Sequence, residues 1–120
     1  MLKIILLGEP KSTGHIYRTT CRGNFASVYM NKEGKELKES YCWQAIAQNK
    51  RRPLITEPIE VTIALFFGTK RKADVDNFNK LVLDSLTGIV WLDDSQIQKL
   101  TITKTYDKLS PRIEVEIYEN

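Results

Sequence analysis

Residues 58–97, PIEVTIALFFGTKRKADVDNFNKLVLDSLTGIVWLDDSQI, contain the pattern on which the fold turns. The opening residues alternate, with Ile59, Val61, Ile63, Leu65 and Phe67 on one side and Glu60, Thr62 and Ala64 on the other. A period of two belongs to a strand with one buried face. From Asn77 to Leu86 the period lengthens. Phe78, Leu81, Val82, Ser85, Leu86 and Ile89 follow i, i+3, i+4 spacing, which predicts a helix, and Gly88 is a fitting stop. Strand is expected again over residues 96–106.

Working outward, LKIILL at residues 2–7 reads as a buried strand, ended by Gly8, Glu9 and Pro10 because proline lacks the ladder donor. Residues 11–31 are rich in Gly, Ser, Thr and Asn and read as loop with one short strand near Ala26 to Met30. A helix is predicted from Lys32 to Asn49. Its apolar stripe is Leu37, Tyr41 and Ala45, with Cys42 and Ile46 beside it, and Arg51-Arg52-Pro53 closes it. At the other end, a strand over 112–118 follows the turn residues Asp107 to Pro111, so it is expected to form a hairpin with 96–106. The expected fold is α+β: a single mixed β-sheet packed by two main helices, in one small domain spanning residues 1–120.

With 42% hydrophobic and 28% charged residues, the composition is that of a soluble globular chain. No apolar run approaches the ~20 residues that cross a bilayer, and Leu2 to Leu7 is too short for a secretory core, so a cytoplasmic protein with no membrane partner is expected. Cys21 and Cys42 have no metal or redox spacing. A disulfide between them is compatible with the sequence, while the cytoplasmic reading favours two reduced thiols. The net charge of +3 suits a nucleic-acid partner without requiring one. Its distribution is more specific: Lys50, Arg51 and Arg52 cluster, and so do Lys70, Arg71 and Lys72, the latter directly before an acidic motif. Each cluster alone is also what a solvated surface looks like.

That motif is Asp74-Val75-Asp76-Asn77, between the strand ending near Phe67 and the second helix. If the segment is extended, the carboxylates of Asp74 and Asp76 point the same way. Asp93 and Asp94 come after the helix, and the chain must return for Asp94 to rejoin the first pair. Two carboxylates about 5 Å apart repel by roughly 3 kcal/mol at an effective dielectric of ~20, so a cluster of them calls for a cation. Hard oxygen ligands suit Mg²⁺, with Mn²⁺ as a substitute, and such an ion accepts a substrate phosphate as a further ligand. Lys80, one turn beyond Asp76, is placed to stabilise charge on a reacting phosphate or to orient a nucleophile.

Plainer roles exist for each residue. Asp76 or Asn77 also fits a helix N-cap, Lys80 and Asp84 an exposed i, i+4 ion pair, and Asp93-Asp94 a turn. His15, the single histidine, reads as a surface residue, and Trp43 and Trp91 read as packing.

Taken together, residues 73–97 closely resemble the signature of the RusA-type Holliday junction resolvases: Asp-x-Asp-Asn, a lysine, a helix with Asp and Leu, then an aromatic-apolar-Asp-Asp-x-Gln. The matching positions are Asp74, Asp76, Asn77, Lys80, Asp84, Leu86, Trp91, Asp93, Asp94 and Gln96. Pro10, and Tyr29 followed by Glu33-Gly34-Lys35, are similar to the family's N-terminal half. The resemblance implies a homodimeric, Mg²⁺-dependent endonuclease of prokaryotic or phage origin. It would bind four-way DNA junctions and nick two opposing strands symmetrically in recombination and repair. It also implies that Asp74, Asp76 and Asp94 are the essential acids and metal ligands, with Lys80 catalytic. Asp93 is an added candidate ligand, and Lys70, Arg71, Lys72 and Asn77 are candidate DNA contacts. Ser12-Thr13-Gly14-His15 departs from the asparagine-rich loop of many members, so no cleavage-sequence preference carries over. Two other readings stand beside this one: a DNA-binding module that cuts nothing, and a nuclease with a broader taste for branched DNA such as flaps or forks.

Overall fold

The computed structural model describes residues 1–12, 17–22, 25–70 and 72–119. In chain order its elements are β1 (Leu2–Leu7), β2 (Tyr17–Arg22), β3 (Phe25–Met30), α1 (Lys32–Asn49), β4 (Ile59–Phe67), α2 (Asn79–Leu86), β5 (Ile97–Tyr106) and β6 (Arg112–Glu119). Four strands make one mixed sheet in the order β1-β6-β4-β5, with β4 parallel to β5 and antiparallel to β6. β2 and β3 form a separate antiparallel ribbon. The α+β class, the two helices and the mixed sheet are as the sequence led us to expect.

The ribbon itself differs from expectation, because only the second of its strands is suggested by the sequence. A two-stranded ribbon outside the main sheet need not alternate apolar and polar residues, so YRTTCR carries little strand signal. Gly23-Asn24 between the strands is, in composition, a pair that two-residue hairpin loops favour.

The expected hairpin of β5 with β6 does not form: β4 lies between them. Turn residues fix a reversal of direction but leave the neighbour open. β4 has the longest apolar face, with Ile59, Val61, Ile63 and Leu65 at most 1% exposed, so it takes the interior of the sheet. β5 carries Lys99, Thr101, Thr103, Lys104 and Thr105, all exposed, and suits an edge. Strands two places apart are separated by about 10 Å, which the segment Asp107–Pro111 spans. It crosses the end of β4, where Asp107 N–H donates to Phe67 O at 2.8 Å. Gly68 permits the crossing, since a Cβ there would lie 2.9 Å from Pro111 Cγ.

The sheet's apolar face, with Ile4, Leu6, Ile113, Val115 and Ile117, packs against Tyr41 and Ala45 of α1 and Leu81, Val82 and Leu86 of α2. α1 begins at Asn31, whose Oδ1 accepts Gly34 N–H at 2.7 Å. It also closes the free edge of β1. Gln48 exchanges two hydrogen bonds of 2.7 Å with the backbone of Ile5, and Gln44 Oε1 accepts Leu7 N–H at 2.8 Å. The helix ends on two left-handed residues, Lys50 and Arg51, with φ of 52° and 61°. Buried Asn49 ties this turn down by donating to Arg52 O and Ile89 O.

The tryptophans part company. Trp91 is 0% exposed and its Nε1–H donates to Thr87 Oγ1 at 3.0 Å, whereas Trp43 is 64% exposed on α1, so packing describes only the first. Cys42 is a free thiol whose pKa burial pushes up. His15 and the Cys21 side chain lie outside the described residues. No helix among the described residues is long and apolar enough to cross a membrane.

Candidate active site

The candidate residues sit on the crossover that joins parallel β4 to β5. A parallel pair needs such a crossover, and a helix is its usual form. Asp74 is extended (φ −79°, ψ 122°), and the chain then makes a 3-10 turn over Val75–Asn77 and enters α2. Asn77 N–H donates to Asp74 O at 3.1 Å and Phe78 N–H to Val75 O at 3.3 Å, closing the turn. Buried Phe78 anchors it, edge-on to Phe67 at 5.3 Å between ring centroids.

The turn leaves Asp74 and Asp76 exposed. Neither Asp76 nor Asn77 performs the capping role open to it in the sequence. Asp74 makes no side-chain cap bond, and the N-cap of α2 is Phe78. A second tether comes from β5, where Lys104 Nζ donates to Ala73 O at 2.8 Å, one residue before Asp74. Lys104 escapes sequence reasoning, although a signal exists. It falls in phase with Leu100 and Ile102, which pair with the inward Val61 and Ile63, so a charge appears where apolar residues are due.

Lys80 and Asp84 lie on α2 and form the expected i, i+4 pair at 3.2 Å, both partly solvated. Beyond the helix, Gly88 takes φ 87° and its N–H donates to Trp91 O at 2.7 Å, a reversal that L side chains rarely permit. Ile55 N–H then donates to Val90 O and Leu92 N–H to Ile55 O, stapling the returning chain to the segment before β4. Gln96 completes the fastening. Its Nε2–H groups donate to Ile55 O and Glu57 O, while its Oε1 accepts Asp93 N–H at 2.7 Å.

Asp93 and Asp94 are thereby delivered to a second 3-10 turn at the start of β5. Asp93 caps that turn, and the backbone N–H of Ser95 is the main cause of its lowered pKa. Asp94 moves the other way. Its pKa is raised, first by the hydrogen bond shared with Asp93, then by desolvation and the negative charges of Asp93 and Asp84, with Lys80 opposing. Asp94 thus lies within electrostatic reach of Asp84 and Lys80 on α2. Asp74 and Asp76 stand before the start of α2, Asp93 and Asp94 beyond its end, and Lys80 and Asp84 on the helix between.

Among the described residues, no three His, Cys, Asp or Glu side chains are close enough together to hold a metal ion. The donor chemistry nevertheless fits a hard cation that keeps its waters. Mg²⁺ is commonly held by one or two carboxylates plus substrate phosphates, so a closed cage of three is not required. Of the basic candidates, Lys70 lies 5.5 Å from the centroid of the Tyr106 ring and Lys72 is exposed, while Arg71 lies outside the described residues.

Fold and site define a small α+β protein with exposed carboxylates before and after the helix of its strand-helix-strand crossover. The chain belongs to the endodeoxyribonuclease RusA family, whose description matches residues 8–118. Crossover junction endodeoxyribonuclease RusA of Escherichia coli strain K12 is 26% identical over 117 residues, covering 96% of this chain and 92% of that protein. The Shigella sonnei RusA is similar to the same degree, 26% over 117 residues. Uncharacterized protein YqaN of Bacillus subtilis strain 168 is 26% identical over 140 residues, covering 98% of this chain and 96% of that one.

Proposed function

We propose that this chain is a Mg²⁺-dependent endonuclease that, as a homodimer, resolves four-way DNA junctions by symmetric paired nicks. One observation carries the reading: in a chain of the RusA endodeoxyribonuclease family, Asp74 and Asp76 stand exposed on a tethered turn, and neither caps the helix they precede. Asp74, Asp76 and Asp94 are the residues from which one or two would hold the ion directly and the others through its waters, with Asp93 a further candidate already engaged as a cap. Mn²⁺ would serve in its place. The chemistry supplied by a bound divalent ion is Lewis-acid polarisation of the scissile phosphoryl group.

The protein's own groups do the rest. Lys80, which pairs with Asp84 on α2, would present its ammonium to the negative charge that grows on the phosphoryl oxygens during attack. Lys70, Arg71 and Lys72 supply phosphate contacts, which position DNA without reading its sequence, and Asn77 offers a neutral donor. A junction has two equivalent strands and a two-fold dimer two equivalent sites, which accounts for paired cuts.

The deciding experiment incubates a labelled immobile four-way junction and a linear duplex of equal length with the protein, with and without Mg²⁺. Paired nicks in the junction alone, only with the metal, are expected. Asp74→Asn should abolish cutting and leave junction binding in Ca²⁺ intact or tighter. Binding without cutting by the unmodified chain would favour the non-catalytic module. Equal cutting of flaps and forks would favour the broader nuclease, and equal cutting of the duplex would end the proposal.

A further inference from the structure

At the carboxyl ends of parallel β4 and β5 lies an open cleft of about 220 Å³, lined by Phe67, Thr69, Lys70, Lys104, Thr105 and Tyr106. Open sheets of parallel strands characteristically bind ligands at this end. Its charge is one-sided, with two lysines and no carboxylate. Other clefts on the molecule mix their signs, one holding Glu60 with Lys99 and another Arg52 with Glu119. Its aromatic wall, Tyr106, ends β5 in register with buried Phe67 yet is 44% exposed.

The cleft adjoins the acidic turn through one side chain. Lys104 Nζ donates to Ala73 O, directly before Asp74, and an ammonium has two further N–H groups to offer. Cavities that enclose drug-sized ligands begin near ~300 Å³, so this smaller, open cleft suits one flat face and one anionic group. An aromatic face between two cations is the combination with which proteins hold single-stranded nucleic acid.

We propose that this cleft holds one unpaired nucleotide of the strand entering the Asp74–Asp76 turn, its base stacked on Tyr106 and its phosphate held by Lys70 and Lys104. The proposal rests on the DNA-nuclease reading above and adds a subsite to it. Continuous stacking is interrupted at the branch point of a four-way junction, so a nucleotide there is more readily unpaired than one inside a continuous duplex. The cleft would therefore help the enzyme tell the two apart next to the reacting phosphate.

The test measures binding of a labelled immobile junction in Ca²⁺ by the full chain and by Tyr106→Ala, Tyr106→Phe and Thr105→Glu, each checked for an unchanged melting temperature. Tyr106→Ala should weaken junction binding about tenfold while duplex binding changes less than twofold, and Tyr106→Phe should bind as the parent does. Thr105→Glu, which puts a negative charge into the cleft, should also weaken junction binding. In parallel, 5-iododeoxyuridine at the crossover thymidines should photocross-link to Tyr106 in the parent chain. Parent binding of the junction with an unaffected Tyr106→Ala, or a cross-link that maps elsewhere, overturns the subsite and leaves the nuclease reading standing. Weakening by Thr105→Glu alone reduces the cleft to a phosphate contact and overturns the stacked base. If the parent chain binds no junction, the nuclease reading falls and the subsite falls with it.

Discussion

Replacing Gly68 by alanine tests the crossing that separates β5 from β6. An added Cβ would lie 2.9 Å from Pro111 Cγ and 3.0 Å from Glu9 Oε2. Carbon atoms pack comfortably near 3.5–4.0 Å, so the contact with the proline ring is too short by about 0.6 Å. Neither neighbour yields freely. The proline ring is rigid, and the Glu9 carboxylate accepts Gly68 N–H at 2.8 Å. Overpacking of this kind costs ~1–3 kcal/mol, against which reduced freedom of the unfolded chain returns ~0.4–1 kcal/mol. A net loss of about 1–2 kcal/mol remains. For 120 residues the unfolding entropy is about 250 cal/mol/K, so Tm should fall by about 4–8 °C. Circular dichroism melts of the parent, Gly68→Ala, Pro111→Ala and the double variant measure it. The double variant should recover part of the loss, because the second substitution removes the ring that the first one strikes. A Gly68→Ala protein that melts within about 1 °C of the parent, or an additive double variant, would refute the close crossing.

Lys80→Ala should lower turnover on a junction far more than junction affinity, measured by single-turnover cleavage beside binding in Ca²⁺; equal losses would make Lys80 a phosphate contact only. Lys104→Met removes the bond to Ala73 O while keeping most of the side chain's apolar stem. It should speed amide hydrogen exchange over residues 73–77 and lower cleavage, and unchanged exchange would deny it a positioning role. The Lys3–Glu114–Arg112–Asp107 network ties β1 to β6 and to the crossing turn. Lys3 and Arg112 hold the Glu114 carboxyl below its ordinary 4.5, and Arg112 holds Asp107 below 3.8. Depressed values mean stability that is present above those pH values and lost as pH falls through the lower, folded-state ones. Tm should therefore decline below about pH 4.5, with a shallower decline in Glu114→Gln. An identical acid profile in that variant would remove Glu114 from the account.

Much of the fold is legible locally. β4 and β6 announce themselves by alternation, because each buries one face only, and α1 keeps its expected bounds, Lys32 to Asn49. α2 begins two residues later than its periodicity suggests, since Asp76 and Asn77 go into the 3-10 turn. The acidic motif and the Lys80–Asp84 pair can be read in the same way. Less legible is anything that depends on what lies across the molecule. Trp43 and Trp91 look alike in the sequence and end at opposite extremes of exposure.

The amino-acid sequence by itself determined where strands and helices form and which carboxylates flank α2, because periodicity, turn chemistry and motif spacing act over a few neighbouring residues. Only the tertiary structure decided that β4 separates β5 from β6, that Lys104 reaches back to Ala73, and that Gln96 fastens the start of β5 to Ile55 and Glu57. These are contacts between residues far apart in sequence. They are chosen by which apolar faces bury one another and which edges tolerate water, a competition that no single segment records.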